Sequence, residues 1–556
     1  MACASEKRDL KEKTPKTSMI ESAKKEEKQI YLSADMACRL AAIDIGSNSV
    51  RLLVAEALRG GVYRILDEER EPTRLGKSVS TEGQLDTEAM DRTIHVLGTF
   101  KKIAAGFQVS GLRTIATCAV REAKNGPAFC RRIREQVGLD VEVISGEREA
   151  QLAFTSVQRA FDLNDRNLIV ADIGGGSTEI VFGTGNLIES IFSTPLGAVR
   201  LTEEFRLGEE AENENYLRNV RRMEQAITNC LKRETSKPHF APHFMVGCGG
   251  TFTTLAELLM ASKKESNTPV AGYKASHAEI HHLLDKLRKM SIKSRRSVAG
   301  MSPDRADIII AGLSIIDALM TRFRVNTLIT HTRGVRDGLV REMIDEALGG
   351  TVDDPVLRDA AIEKLAATCS GEVEHGRTVA TLATRIFDQL VEPFGLHAED
   401  RQRLEWAAIL QDVGYIINYD QHHKHSYHLI RNSRIPGIRG HELELIANIA
   451  RYHRGAIPKR KHENFSRLSA DEKKRVQQMA GILRLAGGLD RSRSQQVKDV
   501  RVFVEPKSIV LKVSAETEPQ VDIWGAERRA QLFEKVFGLP LKIIWDQEKA
   551  VTDHSE

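Results

Sequence analysis

The sequence predicts an α/β protein of two similar half-domains facing each other across a cleft, then an all-helical region and a small α/β module. Three observations carry this. Asp172-Ile173-Gly174-Gly175-Gly176-Ser177-Thr178 lies between the apolar runs 168–171 and 180–182, so two strand-like segments meet at a glycine turn. The same order recurs at Asp44-Ile45-Gly46-Ser47-Asn48-Ser49, followed by the apolar run 50–54. An internal duplication of this kind implies two related halves around a shared cleft. From about residue 349 to about 494 the hydrophobic periodicity becomes helical throughout.

The first half, 39–167, has strand candidates at 40–45, 50–55 and 62–66. A helix over 88–105 follows, with Met90, Ile94, Leu97 and Ile103 close to one face. Strands at 113–117 and 141–144 then alternate with helices starting near Val120 and Glu147. The second half, 168–348, runs through the glycine turn, a strand at 187–192 and a helix at 215–231. Its run 244–246 enters Gly247-Cys248-Gly249-Gly250-Thr251, ahead of a helix at 252–260. Such a helix N-terminus favours an anion, although glycines also serve simply for close packing. A hinge is expected at Gly349-Gly350. Over 349–495 Val379, Leu382, Ile386 and Leu390 mark one apolar stripe, while polar or basic loops are expected at 418–428 and 455–467. Residues 496–546 read as β-β-α-β, and 1–38 and 547–556 as solvated tails.

The length of 556 residues allows several cores. Hydrophobic residues at 41% and charged residues at 28% are ordinary for a globular protein, and the net charge of +4 confines any basic site to a local patch. This gives no reason to expect nucleic acid as a partner. Seven cysteines, at 3, 38, 118, 130, 230, 248 and 369, include no C-x-x-C pair, which fits free thiols in a reducing compartment. Residues 1–38 alternate Lys and Glu without an apolar core, unlike a signal peptide. No apolar run reaches the roughly 18 residues a membrane span needs, so a cytoplasmic, membrane-free protein is expected.

The duplicated turns carry the chemistry. Glycines leave backbone N–H groups bare where no Cβ obstructs an approaching anion, which makes a phosphate seat; a tight hairpin that simply needs glycine is the alternative. Asp172 at the mouth would repel phosphate unless a divalent cation lay between them. Competing motifs fail. Gly76-Lys77-Ser78 has Glu71 where a Walker A loop needs glycine, a strand rather than a helix follows Gly174, and His441-Glu442 has no second histidine three residues after the glutamate. Hydrolysis of a phosphoanhydride also needs a group that orients water. Glu149, in the first turn of a helix behind Ser145-Gly146, and Glu122, after the strand 113–117, are candidates, and each also fits a carboxylate that merely complements a helix dipole.

These motifs, with Ala116-Thr117-Cys118-Ala119-Val120-Arg121-Glu122-Ala123, Ile144-Ser145-Gly146-Glu147-Arg148-Glu149-Ala150 and Arg336-Asp337-Gly338, resemble the exopolyphosphatase/guanosine pentaphosphatase family of the actin-like (RNase H-like) superfold. The resemblance covers about residues 40–345 and continues more weakly to about 545. It implies that Glu149 activates water and that Glu122 assists. It also implies that Asp172, Asp44 and Glu142 serve a Mg²⁺ or similar ion. The turns Gly46, Ser47, Asn48 and Ser49 and Gly174, Gly175, Gly176, Ser177 and Thr178 would hold phosphates, joined by Arg92 and Arg336. A homodimer is implied as well.

The helical region resembles an HD-type metal phosphohydrolase, with His375, Gln411-Asp412, His425, His453 and Asp490 in order. Gln411 stands where an imidazole is needed, and an amide is a poor transition-metal ligand, so no metal catalysis is expected there. His375 shares the stripe of Val379 and Leu382 and reads as a core histidine. Arg451, Arg454, Lys459, Arg460, Lys461 and Arg467, with His422, His423, Lys424 and His425, form basic patches. Such runs are often solvated surface, but a linear polyanion would be held by them with strong salt dependence, and Arg454, Lys459, Arg460 and Lys461 are expected to line a polyphosphate channel leading to the glycine-turn cleft. The leading expectation is removal of terminal orthophosphate from polyphosphate. The alternatives are hydrolysis of guanosine pentaphosphate, a small-molecule kinase of the same superfold, and a regulatory protein with decayed sites, against which the carboxylates at 44, 122, 149 and 172 speak.

Overall fold

A computed structural model describes residues 38–58, 63–161, 163, 166–207, 214–265, 268–347, 355–369, 372–433, 435, 437–438 and 440–546. The two expected tails, apart from Cys38, and the Gly349-Gly350 hinge lie outside these residues. In the first sheet β1 (Cys38–Ile45), β2 (Val50–Ala57), β3 (Tyr63–Glu71), β4 (Gly111–Ala116) and β5 (Val141–Val143) are ordered β3-β2-β1-β4-β5. The second sheet contains β6 (Asn167–Ile173), β7 (Thr178–Thr184), β8 (Leu187–Thr194), β9 (Phe244–Cys248), β10 (Lys274–Ser276) and β11 (Thr327–Thr330). Its order is β10-β11-β9-β6-β7-β8.

The duplication read from two turns extends to the whole topology. In each sheet three antiparallel strands form a meander, and parallel strands join beside the first of them. The central strands β1 and β6 are almost wholly buried, as their runs of Ile, Ala, Leu and Val require of strands covered on both faces. The registers match as well. Asp44 pairs with Arg51 across β1 and β2, and Asp172 pairs with Glu179 across β6 and β7.

The helices decide where the halves end. Helix Gly146–Ala160 begins at Ser145, whose hydroxyl oxygen accepts from the Arg148 N–H at 3.1 Å, with Glu147 and Glu149 favouring the positive end of the helix dipole. This helix packs in two directions: Leu152 and Ala153 meet the first half's Cys38 and Leu40, whereas Phe154 and Val157 meet Leu168 and Val181 of the second. Helix Val335–Ala347, expected in the second half, also returns to the first, burying Val335, Leu339 and Val340 with Leu40 and Leu53. The cleft is therefore clasped from behind by two shared helices. Inside the second half Phe182 stacks edge-on to Phe192 and Phe323 at 5.2 and 5.1 Å, geometry that adds about 0.5–1.5 kcal/mol per pair beyond burial.

The C-terminal part is helical to Leu489, followed by β12 (Asp499–Val504), β13 (Ile509–Ser514) and β14 (Leu541–Trp545). Two differences from the sequence reading have clear causes. The stretch expected as a loop at 418–428 forms helix His422–Arg431, because Tyr427, Leu429 and Ile430 bury one face despite the polar run before them. The single helix expected at 525–537 is two, Gln520–Glu527 and Gln531–Phe537. Ile509, Leu511 and Phe533 share one core with the helical region, so the terminal strands are not packed as a separate unit. Among the described residues no helix is long and apolar enough to cross a membrane.

Candidate active site

The two turns form the same structure and face each other. Gly46 N–H donates to Ser49 O at 3.2 Å, and Gly174 N–H donates to Ser177 O at 2.9 Å. Close approach explains the glycines: a Cβ on Gly175 would lie 3.1 Å from Ser47 Cβ and 3.5 Å from Asn48 N, and one on Gly176 only 2.6 Å from Cys118 Sγ. Together they line a cavity of about 320 Å³, which also reaches Glu149, Thr117 and the helix N-terminus at Gly249–Thr251. The backbone alone makes this an anion site.

Charge is arranged in two groups around the cavity. Asp44, Asp172 and Glu149 bring carboxylates, while Arg51, Arg70, Arg305, Arg333 and Arg336 bring guanidiniums. Arg70 Nε and Nη2 are buried with no hydrogen-bond partner. Burial and then the neighbouring Arg70 and Arg51 push the Arg305 guanidinium down to about 9, the signature of crowded cations. Arg336 is otherwise engaged, with Nη1 donating to Leu52 O at 2.9 Å and Nη2 to Glu68 Oε1 at 2.6 Å.

The carboxylates are held away from their usual range. Burial raises Asp44 against the pull of Arg51 and Arg336, and burial places Asp172 at about 6. Glu149 is raised well above an ordinary glutamate, first by burial and then by Glu179, Asp44 and Asp172, with Arg121 opposing. Arg121 Nη1 lies 3.4 Å from Glu149 Oε2 and donates to Ile144 O at 2.7 Å, so it ties the helix that carries Glu149 to the end of β5. Glu179, which accepts from Ser193 Oγ at 2.9 Å, reaches about 7 through burial and Asp172. A buried carboxylate with a raised pKa beside an anion seat has the properties of a proton acceptor.

The structure brings together Asp44, Gly46 to Ser49, Glu149, Asp172, Gly174 to Ser177 and Arg336. Other expected residues fall elsewhere. Glu122 is not among the cavity-lining residues; its carboxylate is paired with Arg200 and accepts from Cys118 Sγ at 3.4 Å. Glu142 is exposed on β5, a three-residue edge strand, and Arg92 is an exposed helix cation 3.6 Å from Glu88. Thr178 is buried inside β7, with its hydroxyl donating to Leu196 O rather than facing the cavity. Lys459, Arg460 and Lys461 are exposed and line neither this cavity nor the second one.

Sequence reading missed Arg51, Arg70, Arg305 and Glu179. A signal existed for two of them, since Arg51 and Glu179 each lie seven residues after the aspartate of their own turn. Arg70 sits in the charged run of β3, which reads as a solvated edge, and Arg305 is far from either motif.

A second cavity of about 220 Å³ lies in the helical region, and Arg454 is on its wall. Asp412 Oδ1 lies 3.2 Å from His422 Nε2 and 3.6 Å from His453 Nε2, and the two imidazole nitrogens are 3.3 Å apart. Carbonyl oxygens of Tyr419 and Ala450 accept from Nδ1 of these rings at 3.0 and 2.7 Å, which directs both Nε2 atoms inward. Burial would raise Asp412, but the His422 hydrogen bond and the charges of His453 and His375 outweigh it and hold the carboxyl at about 2. Two expectations change. His422 rather than His425 faces Asp412, because one helical turn carries His425 to the boundary with β8. His375, read as a core histidine, lines this polar cavity, with Nδ1 2.7 Å from Asp490 Oδ2.

Duplicated α/β half-domains that oppose two glycine turns over buried carboxylates and a cluster of arginines define a phosphate-handling protein of the actin-like class. The model of the Ppx/GppA phosphatase family matches residues 53–347, and that of Ppx/GppA phosphatase domain III matches 357–521. The chain belongs to the Ppx/GppA phosphatase family. It is similar to the crystal structure of the Aquifex aeolicus family member, at 32% identity over 56% of this chain and 98% of that one, with a TM-score of 0.47. It is also similar to an exopolyphosphatase from Cytophaga hutchinsonii, at 29% identity over 55% of this chain and 98% of that one, with a TM-score of 0.51.

Proposed function

We propose that this phosphatase releases terminal orthophosphate from inorganic polyphosphate, with guanosine pentaphosphate as an alternative substrate. The observation that carries the reading is Glu149: a buried carboxylate of raised pKa on the wall of a cavity whose opposite faces are two anion-binding turns. The turn amides and Arg70 bind phosphate oxygens. Glu149 holds the attacking water and takes its proton, and Arg121 fixes the position of Glu149. A kinase needs the same phosphate seats but has no use for a base aimed at water. The exopolyphosphatase activity named for the similar Cytophaga hutchinsonii protein favours polyphosphate over the nucleotide.

The cavity fits a hard divalent cation. Asp44 Oδ1 is buried with no hydrogen-bond partner, and burial holds Asp172 near 6, so both carboxylates are short of positive charge. Asp44 and Asp172 would hold Mg²⁺, which supplies charge neutralisation to the phosphate oxygens.

Phosphate release from long polyphosphate, guanosine pentaphosphate and ATP, measured for wild type and Glu149→Gln, tests the reading. Loss of a general base predicts a fall of about 10²–10⁴-fold with the polyphosphate Kd little changed. Equal rates in the two proteins would remove Glu149 from the chemistry, and ATP turnover only with an added acceptor would favour the kinase.

A further inference from the structure

The helical region touches the second half-domain at β8, the edge strand of its sheet. Glu189 of β8 is 1% exposed, and no hydrogen-bond donor has bonding geometry to either carboxylate oxygen; burial raises its pKa, with the His239 backbone amide opposing. Its neighbours are two imidazoles, His425 from helix His422–Arg431 and His239 from the segment between helix Glu214–Glu234 and β9. One donor atom from each of the three residues lies within 4.8 Å of the others. Glu189 Oε1 is 3.8 Å from His425 Nδ1, beyond a hydrogen bond, and the two rings meet edge-on at 4.6 Å. His425 Nε2 is also buried without a partner.

Buried polar groups left unsatisfied cost about 1–3 kcal/mol each, and here a carboxylate and an imidazole share the defect. Proton transfer does not remove it. Burial first, and then the neighbouring His239, His422, Lys424 and Arg451, hold His425 down to about 4, while burial holds Glu189 near 7. His428, one turn along the helix, is likewise lowered to about 4 by burial, Arg431 and Arg451. The site thus offers the neutral His425 imidazole beside a carboxylate short of positive charge. Two imidazoles and one carboxylate form the donor set of a three-ligand zinc site, in which donors bonded at 2.0–2.1 Å stand roughly 3.3 Å apart. The 3.8 Å between Glu189 and His425 is close to that spacing.

We propose that Glu189, His239 and His425 bind a zinc-class transition-metal ion that joins β8, the segment before β9 and the helical region. The exposed side, at His239, leaves a fourth position for water. Nitrogen donors separate this site from the oxygen-lined Asp44–Asp172 cavity, which suits Mg²⁺. The joint bears on the base as well, because helix His422–Arg431 and the residue after it contact helix Gly146–Ala160 through Arg431 to Glu147 at 2.6 Å and Asn432 to Gln151 at 3.1 Å.

The full chain, stripped with chelator, is titrated with Zn²⁺ for stoichiometry and with Co²⁺ for the absorption band of a tetrahedral site. Wild type is expected to bind one more equivalent than Glu189→Gln, and His239→Ala to bind at least ten-fold more weakly at that site. His453→Ala, which alters only the Asp412 cluster, should keep the equivalent. Zn²⁺ should raise the Tm of wild type and His453→Ala but not that of Glu189→Gln. Identical stoichiometry, affinity and Tm response in wild type, Glu189→Gln and His239→Ala would overturn the proposal. His239 is exposed, so His239→Ala decides the matter even if Glu189→Gln does not fold.

Discussion

Two cavities among the described residues are built from opposite materials. The front one is made of backbone: glycine turns approach within van der Waals reach, and side chains at the rim add carboxylates and guanidiniums that suit oxygen ligands. The one in the helical region is made of side chains, with Asp412, His422, His453, His375 and Asp490 converging from distant parts of the chain. A backbone seat binds whatever carries phosphate and leaves the reaction to one well-placed group. An imidazole cluster selects by donor chemistry, and its rings are already held by carbonyls and carboxylates. Proximity to the turns, rather than the number of titratable groups, is why the reaction is proposed for the cavity that holds Glu149.

The largest effect that could break this comparison comes from the turns. In Gly176→Val the new Cβ would sit 2.6 Å from Cys118 Sγ and 3.1 Å from Ser47 Oγ, which forces the turns apart. Displacing the seat by about 1 Å should lower kcat/KM by about 10²-fold or more, with circular dichroism unchanged. Unchanged steady-state kinetics would mean that the two turns do not share a substrate. Next in size is Arg70→Ala. Its buried, unpartnered guanidinium should be worth about 10–100-fold in KM, as hydrogen bonds to charged groups are, and its loss should flatten the salt dependence of binding.

A smaller effect is set by pH. Asp172 and Glu179 have folded values of about 6 and about 7, above their ordinary 3.8 and 4.5, so the folded protein binds more protons than the unfolded chain between those limits. Their contribution to stability is present below about pH 4 and lost as pH rises to about 7. Urea denaturation of the metal-free protein across this window should show that fall, and Mg²⁺ should suppress it. If Mg²⁺ leaves the slope as it was, the ion does not bind these carboxylates. The smallest change is expected in the other cavity: Asp412→Ala should leave phosphate release within about two-fold, as for a site remote from the chemistry. A large loss, with folding and polyphosphate binding intact, would assign the helical cavity a part in the reaction.

Much of the front site was legible because its signals are local. Asp44 to Ser49 and Asp172 to Ser177 are contiguous, their duplication is visible by eye, and the N-cap that places Glu149 is read from Ser145 and the acidic turn after it. Glu122 falls outside the cavity lining because Arg200, which arrives from the second half, pairs with its carboxylate, and its position in the chain says nothing of that partner. Arg70 looked like a solvated strand residue until the fold buried it. His422 and His425 differ by one helical turn, and a stretch read as a loop carries no facing information.

The sequence by itself determined the duplicated strand–turn–strand units, the glycine content of their turns and the position of Glu149 at a helix start. Each follows from short-range rules: glycine where a Cβ cannot fit, continuous apolar runs in strands buried on both faces, and caps at helix ends. Only the tertiary structure decided which half holds each helix, which arginines lose their solvent, and which histidines meet. These depend on contacts between residues hundreds of positions apart, such as Glu147 with Arg431 or Leu40 with Leu339, and no local pattern encodes such pairings.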